Sequence, residues 1–486
     1  MAWSSLALRR SRVVRALGAG AVLVALTGTG LAVGPEAFAK PDASAGPSGK
    51  LTSSAGPGTD LEQRCQDAGS TYERSTPDQV GLDAAKMQEA IDYWGSRGSE
   101  TVSVFRFNCL VGESANNALF ETKPIWIRSH TKTLLSLVIG RAQTLGLLDI
   151  DDPIGKYIPE GVGDEAHRAI TFRQLLTMRS GLHMNWTREA NQAQPNRVRE
   201  AMSLPFDHEP GTWFEYAQTP MYLLPYATSH AVGMDFQQFA QENLFDHLGI
   251  PATHYAWGRD RAGNYDGPGW DTRAWPVDFG RIGQLLLHKG EFNGEQLIDE
   301  SYIEEATTGT RENPGYGMPF WLNSADRFVN ASIFERKVVE GPIVTSAPRD
   351  MYMTWGLHGQ HVFVIPSLNM VVTRTGNVNP DAIQTSDPGN SAIAGAQKEG
   401  YYTFFKLLME AVTDKDLPEP PPYSTDWSLD LDPSAFINPE DNLATAGVGP
   451  AAPEGCPIVG CDGNVEHAGT VDFAGDLVGS TVAGTP

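Results

Sequence analysis

Ser129 and Lys132 combine a hydroxyl and an amine at a spacing that can support nucleophilic chemistry. They lie where an apolar strand-like segment meets an apolar helix-like segment, in IWIRSHTKTLLSLVIG at 125–140. Among the eleven lysines of the chain, Lys132 is the one that has a serine three residues before it. On a helix, positions i and i+3 share a face, so the amine can reach the hydroxyl. Ser129 would then lie at the helix N-terminus, where backbone N–H groups stabilise a developing negative charge.

The helix that follows Ser129 is predicted to be buried, because apolar residues surround it almost completely. These residues are Leu134, Leu135, Leu137, Val138 and Ile139. A lysine in such a helix loses hydration, which lowers its pKa and suits the neutral amine to act as a base. The alternative is a purely structural pair, in which the serine caps the helix and Lys132 extends its ammonium group to solvent.

The first 39 residues are predicted to be a signal peptide. Four arginines between positions 9 and 15 precede an apolar run at 17–33, and Ala37-Phe38-Ala39 offers small residues for cleavage. The alternative is a membrane anchor, but the apolar run is short and rich in Gly and Ala. Arg9-Arg10 would also fit twin-arginine export, so the export route stays open. We therefore expect a secreted or periplasmic, cell-envelope protein that makes no membrane contact after cleavage.

The acidic charge of the chain restricts its partners. The 486 residues carry a formal net charge of −23, and the first 39 contribute +3, which leaves −26 on the rest. Such a surface repels phosphate groups, which argues against nucleic acid and anionic membranes as partners. The composition does not indicate an oligomeric state.

The four cysteines are predicted to form two structural disulfides, Cys65–Cys109 and a local Cys456–Cys461 pair, because an even count in an exported chain is typical of such bonds. A metal or redox role would need further ligands, and His467 alone follows the second pair. The sequence also contains neither a G-x-S-x-G elbow nor an HExxH motif. We therefore expect no metal and no cofactor.

Composition divides the chain into four predicted segments. These are the signal peptide at 1–39, a flexible Pro/Gly/Ser-rich linker at 40–64, a structured domain at 65–415, and an acidic, Gly/Ala-rich extension at 416–486. The structured domain carries the chemistry considered above.

The order of predicted elements indicates an α+β fold. A helix at 81–98 precedes two predicted strands of one sheet, at 101–112 and 118–128. Helices fill the middle of the chain, and strands at 351–376 and a helix at 394–412 close the domain. We expect an antiparallel sheet flanked by N- and C-terminal helices, with an all-helical subdomain beside it.

Five ordered blocks of the sequence resemble the serine β-lactamase and penicillin-recognising superfamily. The resemblance extends from 76 to 413 and is closest to the class C branch, with its esterase and 6-aminohexanoate-dimer hydrolase relatives. It implies a β-lactamase/transpeptidase-like fold. The blocks lie at 126–160, 170–182, 214–250, 280–298 and 356–372.

The resemblance assigns roles to three residues. Ser129 matches the acylated nucleophile and Lys132 its base. Tyr216, in Tyr216-Ala217-Gln218, matches the tyrosine that shares a proton with the lysine and passes it to the leaving group. A cationic neighbour would favour the phenolate form of this tyrosine. Without the resemblance, a core aromatic whose hydroxyl finds a partner would be the simpler interpretation.

Two positions depart from the family pattern. Gln218 stands where the family usually has Asn, and its side-chain amide, one methylene longer, is the candidate contact to Lys132 or substrate. The family's third motif, K-T-G, has Thr354-Trp355-Gly356 as the nearest counterpart, without the lysine. That lysine helps the family receive the β-lactam carboxylate, so potent β-lactamase activity is less expected.

The strand around Gly356 is predicted to supply half of the oxyanion hole. Glycine permits close approach of the backbone to a substrate, and the N–H groups of Leu357 and Ser129 would bind the oxyanion. In an alternative register, His358-Gly359-Gln360 takes this place and His358 faces the pocket.

The sequence thus predicts an exported serine hydrolase that cleaves an ester or amide bond of a small or peptide-like substrate through an acyl-enzyme. Trp186, Asp266 and Trp270 are candidates to line the pocket. One alternative is a true β-lactamase or D,D-peptidase. A second is a catalytically silent cell-wall-binding or sensor protein that keeps the fold.

Overall fold

The computed structural model describes residues 64–184, 189, 196–331, 336–376 and 399–423. The signal peptide, nearly all of the linker, most of the C-terminal extension, Trp186 and the Cys456–Cys461 pair lie outside these residues. They stay predictions, as do the segment boundaries.

Strands and helices follow one another along the described part of the chain, and their lengths range from two to fifteen residues. The strands are β1 (Ser99–Arg106), β2 (Cys109–Glu113), β3 (Ile125–Trp126), β4 (Tyr255–Ala256), β5 (Arg273–Ala274), β6 (Glu291–Phe292), β7 (Glu295–Gln296), β8 (Trp321–Leu322), β9 (Arg327–Val329), β10 (Val338–Glu340), β11 (Tyr352–Met353), β12 (His361–Ile365) and β13 (Met370–Gly376). The α-helices are α1 (Ala84–Gly95), α2 (Asn117–Phe120), α3 (His130–Thr144), α4 (Glu165–Arg168), α5 (Phe172–Leu176), α6 (Arg197–Ala201), α7 (Leu223–Val232), α8 (Phe236–Ala240), α9 (Phe279–Leu287), α10 (Glu300–Ala306) and α11 (Glu399–Glu410).

An antiparallel sheet with the spatial order β2-β1-β13-β12-β11-β8 forms the centre of the domain. Helices α1 and α11 pack together beside it, while α9 packs against β12 and β13. On the first side, Trp94 of α1 stacks on Phe404 of α11 with ring centroids 3.4 Å apart. The sequence predicted that N- and C-terminal helices flank the sheet, and the structure shows in addition that these two helices pack against each other.

Helix α3 is the central helix of the helical part, and its side chains from His130 to Ala142 are all buried. Its apolar sequence explains this, because such a helix has no face suited to solvent. Helix α5 begins with a capping box, in which the Thr171 hydroxyl and the Gln174 side chain accept hydrogen bonds from each other's backbone N–H groups. These contacts fix the first turn of α5.

The predicted pair of strands at 101–112 and 118–128 is wrong in detail. The first segment already contains both β1 and β2, joined by Phe107 and Asn108 in left-handed backbone conformations. A bulky Phe rarely adopts that conformation, so the turn had no clear sequence signal. The second segment forms α2 and the short β3, which pairs with β5 in a separate small sheet.

The fold class is confirmed as a mixed arrangement of helices around an antiparallel sheet. The Cys65–Cys109 disulfide is also confirmed, and both cysteines are buried. Within the described ranges, the helices are too short or too polar to cross a membrane.

We predict that the double substitution C65S/C109S destabilises the domain. The bond joins residues 44 positions apart, and closing a loop of that length stabilises a fold by about 4 kcal/mol through the unfolded chain. Denaturant unfolding of the full chain measures the loss, with C456S/C461S as the control that removes the other two cysteines, which are five positions apart and would close only a short loop. Equal stability of C65S/C109S and the wild type would contradict the prediction.

Candidate active site

Ser129 and Lys132 meet at the beginning of α3. Ser129 is the N-cap residue, and Lys132 lies on the first turn with its side chain fully buried. The Nζ of Lys132 lies 2.8 Å from the Oγ of Ser129 and 2.7 Å from the carbonyl oxygen of Pro268. The lysine therefore does not extend to solvent, which excludes the structural alternative for its side chain.

Burial lowers the pKa of Lys132 to about 7. Desolvation is the largest cause, because it disfavours the charged ammonium form. The carboxylates of Asp266 and Glu189 oppose it and raise the pKa. At neutral pH a large share of Lys132 is therefore the free amine, which can accept a proton.

The loop at 266–272 presents the Pro268 carbonyl to Lys132. The carboxylate of Asp266 is buried and accepts hydrogen bonds from the N–H groups of Gly269 and Asp271, at 2.9 and 2.7 Å. The hydroxyl of Thr272 donates a third, at 3.2 Å. Asp266 thus holds its own loop in shape, in addition to acting on the charge of Lys132.

Gly269 allows this loop to lie directly against the residue before the serine. Its backbone has φ +91°, and a Cβ atom there would lie 1.9 Å from the carbonyl oxygen of Arg128. Arg128 itself has φ +54°, and its guanidinium donates to the carbonyl of Trp270 at 3.2 Å. Both sides of this contact therefore depend on an unusual backbone conformation.

Tyr216 lies next to both Lys132 and Ser129. Its ring centroid is 5.1 Å from the lysine Nζ, and its hydroxyl interacts with the side chain of Ser129. Burial raises the pKa of Tyr216 to about 12, and the hydrogen bond with Ser129 only partly offsets this. The direction is opposite to the phenolate expected from the sequence, because desolvation disfavours the charged phenolate form and is the largest influence on this group. Tyr216 is a phenol at neutral pH.

Glu189 is the site residue that sequence reasoning missed. It is 1% exposed, and its Oε2 accepts hydrogen bonds from the N–H groups of Gln218 and Thr219, at 2.8 and 2.7 Å. The backbone of Gln218, rather than the amide considered in the sequence, makes this contact. Glu189 stands in a polar stretch without apolar periodicity, so no sequence signal distinguishes it from an exposed glutamate.

Thr354 replaces the family's lysine with a buried neutral group. Its hydroxyl accepts the N–H of Val362 at 2.8 Å and hydrogen-bonds the Nδ1 of His130 at 2.7 Å. Burial lowers the pKa of His130 to about 3, so both partners are uncharged at neutral pH. This contact brings β11 next to the residue that follows Ser129.

The structure favours the first of the two registers considered for this strand. Gly356 lies against the segment before the serine, since a Cβ atom there would be 2.4 Å from the carbonyl oxygen of Ile127. Gly356 also pairs with Gln360, so Leu357, His358 and Gly359 form the tip of the turn between them.

In the alternative register, His358-Gly359-Gln360 would lie beside the serine, but the backbone carbonyls of this turn are bonded to Arg374 of β13. The guanidinium of Arg374 donates to the carbonyls of His358 and Gly359, at 3.3 and 3.0 Å. That turn therefore packs toward β13. Burial, with the nearby charge of Arg128, lowers the pKa of His358 to about 4, so this imidazole is neutral at physiological pH.

The fold thus brings Ser129, Lys132 and Tyr216 into contact and places Gly356 on the neighbouring backbone. Within the described residues, no group of three or more His, Cys, Asp or Glu side chains could hold a metal ion. The chemistry available to these groups is proton transfer and nucleophilic attack.

Residues 124–395 match the model of the Beta-lactamase family, which is more than half of the chain. The chain belongs to this family. The superfamily resemblance is thereby confirmed, and the protein is an enzyme of the β-lactamase/transpeptidase-like serine hydrolases.

A solved structure of a candidate beta-lactamase from Bacteroides dorei DSM 17855 is similar to this chain. The two share 18% identity with a TM-score of 0.53, over 68% of this chain and 99% of that one. A candidate 6-aminohexanoate-dimer hydrolase from Bacillus anthracis gives 16% identity and a TM-score of 0.48, over 67% and 87%. The first likeness supports the β-lactamase/transpeptidase fold.

Among curated proteins, the acyltransferase calJ of Penicillium decumbens is 26% identical over 149 residues. The match covers 26% of this chain and 36% of that protein, so the chain spans about a third of the length of this relative.

We predict that G269A destabilises the domain more than G263A. Both glycines have a positive φ, of +91° and +88°, so alanine is strained at either position. At Gly269 the new methyl group would also meet the Arg128 carbonyl, whereas nothing lies within 4 Å at Gly263. Denaturant unfolding should show about 2 kcal/mol more loss for G269A. Equal losses would contradict this packing of the loop against Arg128.

Proposed function

We propose that this protein is an exported serine hydrolase that cleaves an ester or amide bond through an acyl-enzyme on Ser129. The observation that carries this proposal is the 2.8 Å contact between the buried Nζ of Lys132 and the Oγ of Ser129. A desolvated amine with a pKa of about 7 is matched to removing a hydroxyl proton at neutral pH.

Acylation follows from this geometry. The neutral amine of Lys132 takes the proton of Ser129 as the Oγ attacks the substrate carbonyl carbon. The N–H groups of Ser129 and Leu357 bind the resulting oxyanion. The closeness of Gly356 to Ile127 supports this assignment, because it brings the two backbone segments side by side.

Collapse of the intermediate needs an acid near the leaving group. Tyr216 is a phenol that reaches Ser129, so it donates its proton to the departing alcohol or amine. The ammonium of Lys132 then returns a proton to the tyrosine. In deacylation, water attacks the ester carbonyl, its proton passes to the same pair of residues, and Ser129 leaves as the hydroxyl.

The absence of a cationic side chain at Thr354 indicates which class of substrate the site accepts. The position where the family lysine would receive a carboxylate instead holds a buried hydroxyl bonded to His130. This favours esters and linear amides over β-lactams. A panel of p-nitrophenyl esters, short amide oligomers, D-Ala peptides and nitrocefin separates these classes, and efficient nitrocefin turnover would support the β-lactamase alternative instead.

We predict that S129A abolishes labelling of the protein by a fluorophosphonate probe and removes ester turnover. The probe reports an activated serine directly, whatever the natural substrate is. The matched control is S301A, at an exposed serine on α10, which should label like the wild type. Labelling of S129A at the wild-type rate would contradict the proposal. Complete absence of labelling in the wild type would favour the silent sensor.

We predict that the rate of labelling falls as the pH decreases through about 7, the pKa of Lys132. The ammonium form dominates below that pH and cannot accept the serine proton, so the rate should drop about tenfold per pH unit. Labelling rates of the full chain between pH 5 and pH 9, about two units either side of this pKa, measure the midpoint. A rate that rises only near the ordinary lysine pKa of about 10 would contradict the assignment of the base.

A further inference from the structure

The carboxylate of Glu189 connects two parts of the active site. Its Oε2 accepts the N–H groups of Gln218 and Thr219, which immediately follow the segment that carries Tyr216. Its negative charge also acts on Lys132. The carboxylate is buried, and among the described residues its second oxygen, Oε1, has no hydrogen-bond partner. A buried carboxylate in this situation is costly, which calls for an explanation beyond folding.

Charged groups lie near this carboxylate on two helices. Helix α6 contributes Glu200, which raises the pKa of Glu189, and Arg197, which lowers it; helix α3 contributes Lys132, whose pKa Glu189 raises. Burial is the largest influence and brings the pKa of Glu189 to about 7. The Asp266 carboxylate acts on Lys132 from the opposite loop. Glu189 is therefore one of two acidic groups that act on the charge of the lysine.

We propose that Glu189 is a positioning residue of the active site with two separable effects. Its two hydrogen bonds hold the backbone after Tyr216 in place, and its negative charge favours the protonated form of Lys132. This inference rests on the proposed function of Ser129 and Lys132. It adds a carboxylate that helps to set the pKa of Lys132, and therefore the pH above which the amine can act as a base.

The two effects can be separated by substitution. In E189Q the amide oxygen can still accept both N–H groups, but the negative charge is gone. Lys132 then loses a stabilising partner for its ammonium form, so the amine becomes free at lower pH. In E189A the two buried N–H groups lose their acceptor as well, and the segment carrying Tyr216 is no longer held.

The test is the rate of fluorophosphonate labelling of the full chain as a function of pH. We expect the acid limb of E189Q to move to lower pH, by less than removal of a permanent charge would give, because Glu189 is itself partly protonated near its pKa of about 7. We expect E189A to lose about tenfold or more of the plateau rate, with E189Q retaining more than E189A. The control is E209Q, at an exposed carboxylate whose charge is screened by solvent, which should match the wild type.

The results for the Glu189 variants can be told apart from failure of the proposed function, because in that case S129A would label like the wild type. The inference is overturned if Ser129-dependent labelling persists and E189Q keeps the wild-type midpoint or moves it to higher pH. An E189A plateau equal to that of E189Q would overturn the positioning effect. If circular dichroism shows that E189A is unfolded, the midpoint of E189Q decides the proposal.

Discussion

The active site depends on keeping one ammonium group out of water. Burying an isolated charge costs several kcal/mol, and a protein lowers that cost by neutralising the group or surrounding it with partners. Here both routes operate on Lys132: the Ser129 hydroxyl and the Pro268 carbonyl occupy its Nζ, while two carboxylates limit how far its pKa falls. The balance leaves the pKa of Lys132 at about 7, so the ammonium and the free amine are both populated at neutral pH.

Three structural elements must meet to produce this balance. The first turn of α3 carries the serine and the lysine, the loop at 266–272 supplies a carbonyl and a carboxylate, and the backbone after Tyr216 is held by Glu189. The hydrogen bonds at these junctions are 2.7–2.9 Å long. The close approach of Gly269 to Arg128 and of Gly356 to Ile127 then fixes the two residues that precede the serine.

The sequence revealed the part of the site that is local in the chain. Ser129 and Lys132 are three residues apart on one helix, so their contact followed from helix geometry and the burial of that helix. The Pro268 carbonyl gave no signal, because any residue has a carbonyl and its direction depends on the folded loop. Glu189 gave none either, since burial of a polar residue is decided by tertiary contacts. The left-handed turn at Phe107 and Asn108 was missed because Phe is rare in that conformation.

The central claim is that Lys132 has a depressed pKa in the folded protein, and NMR can measure it directly. The full chain, labelled with ¹³C at the ε carbon of its eleven lysines, is titrated beside K132R, which removes one signal and so assigns it. The structure predicts that the missing signal titrates near pH 7, while exposed lysines titrate near the ordinary value of about 10. A Lys132 signal that titrates with the exposed lysines would contradict the account.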